Sequence, residues 1–564
     1  MNAASKILIS AILLSLGASR SGIADIRRPD LLPENPFVVV RVSGVTNFCN
    51  RFKTSPWAKL WNDEQFREFL GNPSDDVWME LLDIDPEDPQ DRVQMEELKM
   101  LKGEVILAAK KANADTKPYM LARMSFEDFS RSLEMDDRLN ETLPEEDRID
   151  ISKEEFQGVE IIRHVRHRKP GGISSSWQAW ANRTLVMGPS KEWVERCIVA
   201  LKKDELEEPE EEPSISIELN LKTSIDQVIA EQRAKSTGNT NAPDPRTIFD
   251  ALGLTGMGDL TLALSLSENA SSIDLALEVD DLKKGVFSVI DPRPVELPTV
   301  TFVPSDPLAI EVGRIDFPKF FGTLPLILDA IKPGTGMQFS MLMSFFAQQT
   351  GVDVGEGLLN QMGTRYLSFS TSRNGKTLTL SALDLKDGAT FDRNLQTLIA
   401  APALAQQVNA LIETNRFLDR VVYQTKTENP ADSISFCVVD NYLFYGAPDA
   451  LRQALRNLSS EESGNRDFEQ SNLVRQLRKE VPDTAFGFGA VDWKRNMRTV
   501  VRELSKPRYA DAIRQRWATS GSALPPPDME KLPSAEHLAS FFNLSFQYLE
   551  ATDKGLHFHS TLKY

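Results

Sequence analysis

The chain is poor in the residues that most protein chemistry uses. Its 564 residues include only five histidines and three cysteines. Cys49, Cys197 and Cys437 are far apart and odd in number, which argues against a disulfide framework and leaves stability to core packing. All three read as small buried hydrophobes. No G-x-S-x-G, H-E-x-x-H, P-loop or G-x-G-x-x-G pattern occurs, so the common signatures of hydrolase, metalloprotease and nucleotide chemistry are missing. Beyond the N-terminus, no stretch is long and apolar enough for a transmembrane helix. Positive charge is also short: 64 Lys and Arg against 82 Asp and Glu leave a formal charge of −18. That acidity argues against non-specific nucleic-acid or anionic-membrane binding.

The histidines do not assemble into a site along the sequence. His557 and His559 share one face of the last strand, but no Asp, Glu or Cys sits at ligand spacing beside them. His164 and His167 face opposite sides of a strand. The glycine-rich run Gly351–Gly357 precedes a helix without a phosphate-binding strand before it. We therefore assign no catalytic, cofactor-binding or metal-ligating residue and expect no cofactor.

What is present begins with an export signal. Lys6 supplies a positive start, Ile7–Leu16 an apolar core, and Gly22-Ile23-Ala24 the small residues that signal peptidase needs. Cleavage is expected after Ala24, giving a mature protein in the periplasm or outside the cell. Residues 25–35 read as an irregular lead-in.

The remainder is organised around a unit that occurs twice. Asn182–Leu201 and Asp440–Leu458 each open with a short apolar strand. A Gly follows (Gly188, Gly446), then a nearby Pro and an N-cap residue (Ser190, Asp449). Helices place Trp193, Cys197 and Leu201, or Leu451, Leu455 and Leu458, on one face. Other segments match in the same order, roughly 260–280 residues apart, a period too long for a solenoid. We expect two tandem repeats, 36–280 and 307–564, joined by a Pro-rich connector, 281–306. Strands joined by short turns indicate an α+β fold. Each half should be a curved, mainly antiparallel sheet with helices packed on one face.

Three motif pairs carry a resemblance. KMLKGEVILAA (Lys99–Ala109) pairs with NQMGTRYLSFS (Asn360–Ser370). YMLARMSFEDFSRSL (Tyr119–Leu133) pairs with TLTLSALDLKDGATFDRNL (Thr377–Leu395). The strand–Gly–Pro–helix unit is the third. In this order they resemble a family of exported bacterial proteins catalogued only as a domain of unknown function. That resemblance implies export and this architecture, and no activity.

Two charge clusters stand out. Asp204–Glu212, DELEEPEEE, reads as a solvated loop, with a docking tag or weak calcium trap as alternatives. Arg163–Lys169 is the one basic cluster, a hairpin tip or a patch for an anionic envelope polymer. The leading expectation is a non-catalytic binding or scaffolding protein of the periplasm or cell envelope. A carrier of an apolar ligand and a hydrolase of unrecognised type are the alternatives.

Overall fold

The structure, a computed structural model, describes residues 29–72, 88–110, 117–168, 172–203, 214–235, 243–373, 376–428, 432–459, 465–519 and 526–564. The segment expected to be an export signal and the acidic run 204–212 lie outside the described residues. The first half supplies β1 (Val38–Val42), β2 (Val105–Ala109), β3 (Tyr119–Arg123), β4 (Ile149–Phe156), β5 (Val159–Arg168), β6 (Gly172–Ala181), β7 (Thr184–Gly188), β8 (Ile215–Asn220), β9 (Met257–Leu266) and β10 (Ala270–Val279). The second half supplies β11 (Ala309–Arg314), β12 (Met362–Arg373), β13 (Lys376–Leu385), β14 (Ile412–Phe417), β15 (Arg420–Thr425), β16 (Ser435–Val439), β17 (Tyr442–Gly446), β18 (Gly487–Asp492), β19 (Leu544–Ala551) and β20 (Gly555–Lys563).

These strands pair antiparallel into one 20-stranded sheet. From one edge the order is β4, β5, β6, β7, β3, β2, β1, β8, β9, β10. It continues through β20, β19, β18, β11, β12, β13, β17, β16, β15 and β14. The α+β class with antiparallel sheet is as the strand patterning predicts. The pairing of β10 with β20 joins what the sequence reading treats as two separate sheets. Both strands are ten- or nine-residue alternating runs, long enough to zip from Ala270↔Lys563 to Glu278↔Gly555.

Helices cover both faces, not one as expected. On the first face, the helix Lys191–Lys203 buries Trp193, Val194, Cys197, Ile198 and Leu201 against Val39, Ile106, Leu121 and Val186. On the opposite face, Phe48, Met100 and Phe129 from three other helices pack on Val38, Val40, Val105 and Leu107. The reason is visible in Val38-Val39-Val40 of β1 and in β2, whose consecutive residues are apolar, so burial of one face alone would leave about half of them in water. Each fully buried side chain of this kind contributes roughly 1.5–3 kcal/mol.

Several local expectations shift. The lead-in is anchored: Leu31 is fully buried, and its carbonyl accepts from Trp193 Nε1 at 3.0 Å. The helix beginning at Phe126 runs on to Thr142, started by the Ser125 cap, well past the end of the motif at Leu133. Cys49 is exposed, because it lies on the outer side of the helix Val45–Thr54, whereas Cys197 and Cys437 are buried. Ser55-Pro56 breaks the helical run, with Ser55 capping the next helix, Pro56–Trp61. Between Phe317 and Thr350 the chain forms a helical hairpin, Phe317–Ile331 and Thr335–Thr350. The second of these helices was not anticipated. Gly336 lets the two helices close, since a Cβ there would lie 2.2 Å from the Pro325 carbonyl oxygen.

Candidate binding surface

Cross-strand registry carries two residue rows across the face that bears Val40 and Val42. One row runs Leu107, Val40, Ile217, Leu262, Leu275, Phe558 and Leu549, then Gly487, Gly313 and Tyr366. The next runs Val105, Val42, Ile215, Leu264 and Ile273, then Ser560, Gln547, Gly489, Glu311, Ser368, Ser381 and Tyr445. Both rows are aliphatic through the first half; in the second, the row from Val105 turns polar or side-chain-free at once, and the row from Leu107 does so only after Phe558 and Leu549. The change matters because the same face packs helices in the first half, while Glu311, Thr379, Tyr445 and Gln547 are exposed.

Glycine shapes this open patch. A Cβ at Gly313 would sit 2.7 Å from the Tyr366 ring, so only glycine lets that ring lie across the strand. Tyr366 Oη then donates to Glu311 Oε1 at 2.6 Å. Burial, then the hydrogen bond to the Glu311 carboxylate, push the Tyr366 phenol well above its usual range. It is a donor, not a base. Ser381 Oγ donates to Ser368 Oγ at 3.0 Å, and Ser370 and Thr379 share a proton at 2.8 Å. Hydroxyls, one carboxylate and aromatic faces on a flat floor suit hydrogen bonding and stacking with a polar ligand.

A second cluster lies on the opposite face, where the halves join. Asp274 on β10 stands between His557 and His559 on β20. His557 Nε2 is 3.0 Å and His559 Nδ1 2.7 Å from Asp274 Oδ1. His559 Nε2 continues to Thr561 Oγ1 at 2.7 Å, and the Tyr548 ring stacks on His559 at 4.8 Å between centroids. The reading that no acid stands beside these histidines is thus corrected: His559 and Asp274 are buried together, and Glu550 lies 3.7 Å from His557. No sequence spacing could have shown this, because Asp274 is 283 residues from His557. Among the described residues, no group of three or more His, Cys, Asp or Glu is placed to hold a metal.

The remaining residues singled out by sequence are not brought together. His164 is largely buried, which lowers its pKa. Arg163 lies over the Trp177 ring, 5.6 Å from its centroid, while Arg166 is exposed. Lys169 lies outside the described residues. Burial pushes the Cys437 thiol up to about 12, which makes it a core residue and not a nucleophile. An acidic pair escaped the sequence reading. Glu97 and Asp136 lie on two neighbouring helices, and burial, then the Asp136 charge, raises Glu97 to about 7.

No helix of the described residues is long and apolar enough to cross a membrane. No family model matches this chain, and no curated protein matches it. Two solved structures are similar, crystal forms IV and III of TP0453. They share 9% and 8% identity, cover 46% and 48% of this chain and 81% and 88% of theirs, with TM-scores of 0.19 and 0.21. A likeness of that size carries no argument about fold or function.

Proposed function

We propose that the chain is an exported, non-catalytic binding protein of the periplasm or cell envelope. Its binding surface is the open polar part of the sheet around Glu311, Tyr366 and Tyr445. The observation that carries this reading is the change along the row from Val105 to Tyr445, from aliphatic residues packed under helices to a polar run in which Gln547, Glu311 and Tyr445 are exposed. A surface kept polar and uncovered, where its counterpart is packed, is what a ligand platform requires. Internal duplication fits the same picture. Read inward from either edge, both halves list their strands in the same order, fourth to seventh, then third, second, first, eighth, ninth and tenth. On this reading one copy kept its helices against the sheet and the other exposed its floor.

A carrier of an apolar ligand is the second reading. The observation favouring it is the half-buried apolar strip Leu262, Leu275, Phe558 and Leu549, directly beside the polar floor. Native mass spectrometry of the mature protein from its own envelope fraction tests both. A polar adduct lost on Glu311→Ala with Tyr445→Ala supports the platform. A lipid-sized adduct retained in that variant supports the carrier. Turnover abolished by a single acid or histidine substitution would instead establish a hydrolase.

A further inference from the structure

The helical hairpin presents an apolar surface that the rest of the fold leaves in water. On its second helix, Met337, Met341, Leu342 and Phe345 are exposed, Met337 by 66% and Phe345 by 58%. On its first, Phe317, Leu326 and Ile331 are exposed, Leu326 by 70%. Thr335–Thr350 contains no Asp, Glu, Lys, Arg or His, in a chain of net charge −18. Its inward side is apolar as well, with Phe339 against Phe321 at 5.7 Å between ring centroids. A helix with apolar residues on both its inner and its outer side is under-buried when only the inner side is packed.

We propose that this hairpin is the contact surface between two copies of the chain. Three features point to a second copy as the occupant. The four exposed side chains of the second helix alone offer about 500 Å², at ~200 Å² for each large apolar side chain. With neighbouring residues of the hairpin this approaches the ~800 Å² each partner contributes to a standard interface. The outer residues Met337, Met341 and Phe345 recur every fourth position. Two such helices crossing antiparallel about Met341 would set Met337 of each against Phe345 of the other, an isologous two-fold contact. Finally, the second helix carries no charge, so two strongly acidic bodies meet there without opposed carboxylates. Helices that lie on bilayers instead carry Lys and Arg along a polar face, and this one has neither.

Sedimentation equilibrium of the full mature chain from 1 to 100 μM tests the contact. A monomer–dimer equilibrium in the micromolar range is expected, tightening with added salt as like charges are screened. Met341→Glu should weaken it about 100-fold by burying opposed carboxylates at the two-fold, and Phe345→Glu, separately, by a similar factor by burying an unpaired carboxylate against Met337 of the other copy. The exposed control Leu411→Glu should not. Unchanged thermal midpoints will show that the variants fold. A wild-type monomer at 100 μM overturns the proposal, as does a dimer indifferent to Met341→Glu. Monomer pelleting with phosphatidylcholine vesicles, lost on Met341→Glu, would also overturn it and name a bilayer as the occupant.

Discussion

Asp274 and His559 face each other across the seam between β10 and β20, with Oδ1 and Nδ1 2.7 Å apart. His557 reaches the same oxygen, so one carboxylate ties two rings at the centre of a 20-stranded sheet. The hydrogen bond to Asp274 chiefly raises the His557 pKa, with the Glu550 charge adding to it. Burial pushes the Asp274 carboxyl up, but the bonds from His557 and His559 outweigh it and hold the group below its usual value. The His557 contribution is therefore complete below about pH 6.5 and fades as pH rises through its raised value. The Asp274 contribution is present above about pH 3.9 and is lost as pH falls through its depressed value. Asp274→Asn should destabilise the chain by about 1–3 kcal/mol near pH 5.5, and less at pH 9. Urea unfolding at both pH values measures the gap; a gap that is equal at both would remove the histidine linkage.

The acidic pair between the helices Pro89–Met100 and Phe126–Thr142 acts in the opposite sense. Glu97 is raised to about 7 and Asp136 to about 6, by burial first and neighbouring carboxylates second. Raised carboxylates bind protons more tightly in the folded chain, so stability falls as pH rises from about 4.5 through 7. Glu97→Gln keeps an oxygen for the Ser132 hydroxyl, which donates at 2.5 Å, and removes the charge. It should stabilise the protein by about 1–2 kcal/mol at pH 8 and have little effect at pH 5. Thermal midpoints at the two pH values decide it, and a variant less stable at pH 8 would contradict the assignment.

These two clusters show where sequence reading stops. The strands were legible because local pattern carries them: Val38-Val39-Val40 and Val105–Ala108 are apolar without alternation, and Leu260–Leu266 alternates. The consecutive runs also signalled burial on both faces, a signal that the one-faced expectation passed over. Asp274 beside His559 had no local signature, since only the pairing of the closing strands brings residues 285 apart into contact. The exposed polar patch was equally hidden. Glu311, Ser368 and Tyr445 look like ordinary alternation until registry sets them in one row. The hairpin was readable in principle from sixteen residues without a charge, Thr335–Thr350.

Arg41 and Glu104 form a buried ion pair beside the first-half core, with side chains only 6% and 3% exposed. Two charges so withdrawn from water hold their place only together, because either alone keeps the desolvation cost without the attraction. Glu104→Leu and, separately, Arg41→Met should each cost about 3–5 kcal/mol, whereas the double change Arg41→Met with Glu104→Leu should recover most of that loss. Denaturant midpoints for the wild type, both single variants and the double variant form the cycle that measures the coupling. Additive single losses would show the pair to be independent.

The polar platform rests on a smaller contact that can be tested directly. Gly313 is in a strand, where alanine would ordinarily be preferred to glycine. Its lack of a side chain is explained by Tyr366, whose Cε1 would lie 2.7 Å from an added Cβ. Gly313→Ala should therefore lift the ring and separate its hydroxyl from Glu311, costing about 1–3 kcal/mol. Tyr366→Phe keeps the ring in place and removes only the hydroxyl, at about 1 kcal/mol. Ultraviolet titration separates the two effects. In the wild type, burial and the Glu311 carboxylate hold this phenol protonated far into the alkaline range. In Gly313→Ala one additional tyrosine should ionise near pH 10. An unchanged titration with unchanged stability would mean that the ring does not depend on the glycine beneath it, and the floor of the platform would have to be sought elsewhere on the sheet.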